Sequence, residues 1–314
     1  MANYKFIINP VPLNRRKRRF IDTLAKRMAE KKLRFSVEYT TKDRNAEIIA
    51  RESAMQGYDI IVACGGDGTI NEVINGIYGT KAGLAIIPLG TSNDFAKHLN
   101  ITTLHKSEVT LFNGKRKKID LGEAELISNG EKRKILFCST SGIGFDGRLL
   151  KLNHSKLFLQ MKRFLKNISY PLFGFFLVFF YKSNDVEIRF SEKIIKTRLF
   201  MLNANFVRSM AGMRVTPNAG LNNNSFDIFM VEDTGILKKI AGLVWYGFTS
   251  KKINFREVQY ISLDGMSSNR FNLSNIDEFT VTSEKPVDVQ LNGDFLGYTP
   301  ANFRLIKNAI EILI

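Results

Sequence analysis

The stretch Asp59-Ile60-Ile61-Val62-Ala63-Cys64-Gly65-Gly66-Asp67-Gly68-Thr69 constrains this chain more than any other. Its apolar run reads as a buried strand. The strand enters a loop with three glycines, and a helix follows at once. Ile70, Val73, Ile74 and Ile77 stand at i, i+3, i+4 and i+7, the inner face of a helix ending near Gly79. The loop has two readings. Without a Cβ in the way, backbone N–H groups at a helix N-terminus can hold a phosphate, with Thr69 as a cap or a phosphate ligand. The plainer reading is a left-handed turn between strand and helix, with Asp67 as the cap. No Lys-Ser/Thr pair follows, so this is not a Walker A loop.

A second loop of the same kind weighs against the plain turn. Leu84–Ile87 reads as a strand, and Pro88-Leu89-Gly90-Thr91-Ser92-Asn93-Asp94-Phe95-Ala96-Lys97 then opens a helix for which Thr91 and Ser92 are natural caps. Asp67 and Asp94 would sit in the same cleft, and carboxylates beside phosphates imply Mg²⁺ between them. The rest of the first hundred residues keeps the alternation. Lys5–Asn9 and Phe35–Thr40 read as strands; Phe20, Ile21, Leu24 and Met28, and later Ala46–Gln56, read as helices. The βαβα order predicts a parallel sheet covered by helices, with ligands beyond the carboxyl ends of its strands.

After about Ile119 short strands dominate: Lys134–Ser139, Asp185–Phe190, Lys196–Asn203, Phe226–Val231, Glu257–Leu263, Phe279–Val281 and Val287–Leu291. Helices are expected around Ser155–Ile168, Leu172–Tyr181 and Ile236–Phe248. The expected fold class is an α/β N-terminal domain over residues 1–118, followed by a β-rich sandwich over 119–302. Strands about 303–314 are left free to return to the first domain. A length of 314 residues accommodates two domains.

Cys64–Glu72 and Pro88–Lys97 together resemble the diacylglycerol-kinase catalytic domain, in its soluble bacterial lipid-kinase branch. The resemblance covers nearly the whole chain. Asn9-Pro10 is similar to that family's first phosphate loop, and Thr40 or Thr41 to its adenine-side threonine. Asp120-Leu121-Gly122, Gly142-Ile143-Gly144-Phe145-Asp146, Met210-Ala211-Gly212 and Thr299-Pro300-Ala301-Asn302-Phe303 match later landmarks in order. The resemblance implies an NAD-kinase-like α/β domain and a β-sandwich, with ATP and Mg²⁺ between them. It assigns nucleotide contacts to Asn9, Thr40, Thr41, Gly65, Gly66, Asp67, Gly68, Thr69, Asn71, Thr91, Asn93, Asp94 and Lys97.

The chain departs from the family pattern at several positions. Asn9-Pro10-Val11-Pro12-Leu13 has lost the glycine of the first loop. Lys97 replaces an arginine, keeping the charge without the bidentate fork. The Asp-Gly that helps hold a structural Mg²⁺ aligns with Asn223-Asn224, which leaves Gly220, Asn223 and Ser225 as a weakened metal site. The catalytic Asp-Gly-Glu aligns with Asn292-Gly293-Asp294. Asp294 is then the expected base, and Asn292 orients substrate or shapes the turn. Read locally, Asn292-Gly293 is a type I′ hairpin turn, which explains those two residues but not Asp294. Three readings stay open: an ATP-dependent kinase for diacylglycerol or a related lipid, a nucleotide-binding pseudokinase at the membrane, and a kinase for a soluble substrate of the NAD type.

Charge and composition bear on the partner. The net charge is +16. Eleven Lys/Arg fall within the first 34 residues, Arg15–Arg19 among them, against Asp22 and Glu30, and Lys115–Lys118 forms a second run. Such a surface attracts polyanions. No zinc-finger spacing or RNP-like strand is present, so nucleic acid is not expected and an anionic membrane surface is. Pro171–Tyr181 is too short to span a bilayer and is either a buried helix or an interfacial patch. Cys64 and Cys138 form no metal or disulfide pattern, and the N-terminal apolar stretch is too short for a signal peptide. His98, His105 and His154 have no metal-ligand spacing, and no Gly-x-Ser-x-Gly elbow exists. The expected setting is cytoplasmic, with peripheral membrane association; a homodimer is left open.

Overall fold

A computed structural model describes residues 2–153, 155, 158, 169–190, 193–210, 213, 214, 216, 219–233, 235, 259–261 and 276–314. The chain divides into two compact units, Met1–Leu121 with Ile306–Ile314, and Gly122–Leu305. The expected helix Ile236–Phe248 lies outside the described residues, as do most of Ser155–Ile168, the landmark residues Ala211 and Gly212, and Pro217 and Asn218.

The first unit follows the alternation read from sequence. In order come β1 (Asn3–Ile8), α1 (Arg15–Glu30), β2 (Arg34–Tyr39), α2 (Ala46–Met55), β3 (Ile60–Gly65), α3 (Asp67–Ile77), β4 (Gly83–Pro88), α4 (Asp94–His98) and α5 (Leu104–Asn113). The strands pair in parallel in the order β4-β3-β1-β2. Every residue of β3 and β4 is buried. Both are therefore continuous apolar runs, as strands covered on both faces must be. Ile312, near the chain end, pairs in parallel with Leu84. Phe6, Ile8, Leu24, Met28, Val62 and Ile87 share the core beneath α1. The α5 helix, not anticipated, starts at a Thr103 cap whose hydroxyl accepts from Lys106 N–H.

The second unit is built from β5 (Arg116–Ser128, which begins in the first unit), β6 (Glu131–Phe137), β7 (Thr140–Gly144), α6 (Phe145–Leu152), α7 (Ser169–Phe180), β8 (Asn184–Phe190) and β9 (Ile194–Asn205). There follow β10 (Ser209–Met210), β11 (Met213–Arg214), β12 (Asp227–Glu232), β13 (Gln259–Ile261), β14 (Glu278–Ser283), β15 (Asp288–Leu291) and β16 (Asp294–Leu313), whose last residues belong to the first unit.

The sandwich expectation is corrected here. Antiparallel pairings run β9-β7-β15-β16-β14-β8 and back to β9, a closed, barrel-like ring. Long strands make the closure. β9 gives residues 194–199 to β8 and 201–205 to β7. β16 gives residues 294–298 to β15 and 301–304 to β14. Sandwich and barrel strands both alternate inward and outward, so local pattern does not separate them. The core of this unit is aromatic, with Phe279 stacked on Phe303 at 4.6 Å and Phe137 against Phe206, Phe226 and Phe303.

The Pro171–Tyr181 segment is not a helix buried throughout. On α7, Phe173 and Val178 pack with Phe145, Leu149 and Phe200, whereas Phe175, Phe176, Phe179 and Phe180 face solvent, Phe180 with 79% of its surface exposed. Among the described residues no helix is long and apolar enough to cross a membrane.

Candidate active site

Three loops leave the carboxyl ends of β1, β3 and β4, where a parallel sheet binds ligands. They are tied to one another. Asn9 Nδ2 donates to Thr69 Oγ1 at 3.1 Å, while Asn9 Oδ1 accepts from Val11 N–H. Lys17 Nζ, at the start of α1, donates to Leu89 O at 2.6 Å and to Pro12 O at 2.9 Å. The Asp67 carboxylate crosses from α3 to the start of α4, accepting from Asp94 N–H at 3.2 Å and Phe95 N–H at 3.0 Å.

These contacts correct three local assignments. Asp67 caps α4 rather than its own helix. Thr91 and Ser92 do not cap α4, whose N-cap is Asn93 in the left-handed region at φ 50 with no side-chain cap bond. Asn93 Nδ2 instead donates to Gly90 O at 2.9 Å. Thr69 does not cap α3 either: that N-cap is Gly66, without a side-chain bond. The first N–H of α3 with a helical partner is that of Ile70, which donates to Gly66 O. The N–H groups of residues 67–69 are therefore the orphan donors of the helix start.

The glycines show why the plain-turn reading fails. None of Gly65, Gly66, Gly68 and Gly90 has a positive φ. Gly65 and Gly90 are needed for close packing: a Cβ on Gly65 would stand 2.3 Å from Thr69 Oγ1, and one on Gly90 2.5 Å from Gly66 Cα. A Cβ on Gly66 would meet Gly90 Cα at 3.3 Å. Gly68 alone of the four faces open space, with nothing within 4 Å of its missing Cβ. The open glycine and the orphan N–H groups thus occupy the same helix end, where an anion finds donors and the positive end of the dipole.

The remaining assigned residues of this unit lie at or near the same sheet edge. Thr40 N–H donates to Ile8 O, and Thr41 Oγ1 accepts from Arg44 N–H. Asn71 Oδ1 is buried without a hydrogen-bond partner. Thr91 is exposed, and Lys97 Nζ stands 3.8 Å from Asp94 Oδ1. Each Asp67 oxygen spends one lone pair on an N–H and keeps another, so Asp67 and Asp94 fit a Mg²⁺ ion in donor type.

In the second unit the local turn reading holds. Leu291 pairs with Asp294, and Asn292 and Gly293 have φ 53 and 88, the positive values a type I′ turn requires. Asn292 is anchored hard. Its Oδ1 accepts from Cys138 N–H at 3.1 Å, Ser139 N–H at 3.0 Å and Ser139 Oγ at 2.8 Å, and its N–H donates to Thr140 O. Its Nδ2 is buried without a partner. Asp294 is exposed just past the turn. Residues 292 and 294 belong to one unit and the nucleotide loops to the other.

The weakened metal site has little to offer a hard cation. The Asn223 side chain lies against Gly220, where a Cβ would stand 2.6 Å from Asn223 Oδ1, and Ser225 Oγ is 3.5 Å from Asn223 O. These donors are neutral, and the described residues hold no cluster of three or more His, Cys, Asp or Glu suited to a metal. Sequence reasoning missed Lys17, which reads as one more cation in Arg15–Arg19. It also missed Ser139 and Gln290, short of any motif.

Residues 3–124 match the family described as the diacylglycerol kinase catalytic domain. The chain is 27% identical over 284 residues to a diacylglycerol kinase of Bacillus subtilis, covering 89% of this chain and 85% of that one. It is 28% identical over 283 residues to a diacylglycerol kinase of Staphylococcus saprophyticus, covering 87% and 82%. A crystal structure of a diacylglycerol kinase from Bacillus anthracis superposes with a TM-score of 0.73 at 20% identity, over 99% of this chain and 96% of that chain. Yeast NADH kinase does so with a TM-score of 0.51 at 10% identity, over 99% and 82%, a likeness of fold alone. With the loops and their order in agreement, residues 3–124 match the diacylglycerol kinase catalytic domain, on a chain similar along most of its length to bacterial diacylglycerol kinases.

Proposed function

We propose that this protein is a lipid kinase that transfers the γ-phosphoryl group of ATP to the hydroxyl of diacylglycerol or a related lipid. The observation that carries the nucleotide part is the open end of α3, where Gly68 faces free space beside three orphan N–H groups. Phosphoryl transfer asks a protein chiefly to position its reactants and neutralise charge. The phosphates would lie on residues 66–69, and Asp67 and Asp94 would hold a Mg²⁺, which when bound supplies charge neutralisation to them. Asp294 accepts the proton of the lipid hydroxyl.

The change at Asn292 does not argue for a pseudokinase. Three donors converge on one oxygen of this side chain. A carboxylate so surrounded has a lowered pKa and is a poor base. Position 292 is an acceptor that fastens the turn, and an amide oxygen serves as well. The test is a screen of pure protein with labelled ATP against dispersed diacylglycerol, monoacylglycerol, phosphatidylglycerol and sphingoid bases, with NAD as the soluble comparison. Label should enter one of the lipids and not NAD. Label in NAD alone would sink the proposal, and no label in any acceptor would favour the non-enzyme.

Such a substrate lies in a membrane, and two surfaces fit one. Arg15, Arg16, Arg18 and Arg19 are exposed on the first turns of α1, at the positive end of its dipole, where cations are unfavourable unless they meet an anion. Lys115, Arg116, Lys117 and Lys118 are exposed as well, although Arg116 is paired with Glu311. On α7 the exposed phenylalanines offer apolar area to an interface. Each exposed cation near an anionic surface contributes about 1 kcal/mol, screened over roughly 8 Å in physiological salt. Vesicle co-sedimentation is expected to favour anionic over neutral lipid and to weaken as salt rises. Phe179→Ser with Phe180→Ser is expected to weaken binding at every salt concentration. Equal partitioning onto both vesicle types at low salt contradicts the electrostatic part.

A further inference from the structure

The strand register places Gln290 of β15 beside Gly142 of β7, and Gly142 beside Asn203 of β9. Asp146, in the first turn of α6, reaches back over Gly142; a Cβ there would stand 1.6 Å from Asp146 Oδ2. That oxygen accepts from Asn203 Nδ2 at 2.6 Å and from Gln290 Nε2 at 3.2 Å. The other oxygen, Oδ1, is buried without a hydrogen-bond partner, as is Asn203 Oδ1. Gln290 continues the chain of contacts, its Oε1 accepting from Gly293 N–H at 3.0 Å. Gly293 is the second central residue of the turn that presents Asp294.

A carboxyl only 4% exposed with no cation among its partners is an expensive way to fill space. Burial pushes its pKa up to about 6, against the Gln290 and Asn203 side chains and the backbone N–H groups of Gly147 and Asp146, which favour the charged form. Its reach to Gln290 gives it a task. The Asn292 anchor holds one end of the turn on residues 138 and 139, and Gln290 holds the other through Gly293.

We propose that Asp146, acting through Gln290, is a positioning residue that fixes the Asn292-Gly293-Asp294 turn for phosphoryl transfer. The kinetic readout rests on the lipid-kinase reading; the structural readout does not. The full chain is compared with Gln290→Leu, Asp146→Ala and Asp146→Asn. Gln290→Leu removes the bonds to Asp146 and to Gly293 N–H, Asp146→Ala removes its support, and Asp146→Asn keeps an acceptor oxygen of the same shape. In hydrogen-exchange mass spectrometry, peptides spanning residues 288–298 should exchange faster in the first two variants and as wild type in Asp146→Asn. Lipid turnover should fall by about 10²-fold in the first two, with KM for ATP unchanged, as a small misplacement of a reacting group does. Asp146→Asn should stay within a few-fold of wild type. If Gln290→Leu does not fold, Asp146→Ala decides alone. Unchanged exchange at the turn in a folded variant overturns the proposal, and so does an Asp146→Asn as impaired as Asp146→Ala. A wild type that phosphorylates no lipid refutes the lipid-kinase reading, and the exchange data still decide the role of Asp146.

Discussion

Asp294→Asn is expected to cut lipid phosphorylation by roughly 10²–10⁴-fold, the usual worth of a general base, and to leave ATP binding intact. A carboxylate accepts the lipid hydroxyl proton at neutral pH; an amide has no titratable oxygen. Position 294 is exposed at the end of a tight hairpin turn, and Asn has nearly the shape of Asp, so the substitution should not disturb the fold. The informative companion is Asn292→Asp. Its side chain would enter the nest formed by Cys138 N–H, Ser139 N–H and Ser139 Oγ. Charge-assisted bonds would hold it ionised, and the buried Nδ2 that now lacks a partner would be gone. Its activity should equal or exceed that of wild type. Turnover unchanged in Asp294→Asn would remove the assignment of the base. A wild type inactive on every lipid but switched on by Asn292→Asp would make the natural protein a nucleotide-binding pseudokinase.

Gly68→Val is expected to weaken ATP–Mg²⁺ binding by roughly 10²–10⁴-fold with no loss of thermal stability. Loss of two charge-assisted bonds to phosphate, at about 1.5–3 kcal/mol each, accounts for that weakening. The stability expectation follows from the open space around Gly68, its ordinary φ, and its place in a helix, where glycine is worse than other residues by up to about 1 kcal/mol. Gly66→Val is a less clean test, because its Cβ would press on Gly90 Cα at 3.3 Å. Asp67→Ala would also release Asp94 N–H and Phe95 N–H at the start of α4. Calorimetry on Gly68→Val separates phosphate contact from loop packing. Native affinity in that variant would end the claim that the phosphates lie on this helix end.

Much of the first unit is legible in the order of residues, because the signals there are local and repeated. The unbroken apolar runs of β3 and β4 follow from burial on both faces, and the spacing of Ile70, Val73, Ile74 and Ile77 follows from a helix with one face inward. The loops were found because glycine where a strand becomes a helix has few explanations. The reason for each glycine was not legible. Gly65 and Gly90 answer to contacts with Thr69 and Gly66, and Gly68 alone to open space, a distinction made by atoms distant in sequence.

The basic run shows the same limit. Arg15, Arg16, Lys17, Arg18 and Arg19 are alike as a string, yet Lys17 turns inward to Leu89 O and Pro12 O because the helical repeat aims it at the sheet edge. In the second unit, strands and their alternation could be read, but sandwich and ring could not. Closure depends on which halves of β9 and β16 meet which neighbours. The chain order alone determined that two glycine loops follow two buried strands, that a hairpin turn falls at Asn292-Gly293, and that one carboxylate remains at position 294. The fold decided that Asp67 clasps α4, that Asn292 is an anchor held by three donors, and that Asp146 reaches the turn through Gln290. Local pattern fixes what a residue's neighbours in the chain require of it; a hydrogen bond spanning 144 positions, as between Gln290 and Asp146, exists only once the strands are paired.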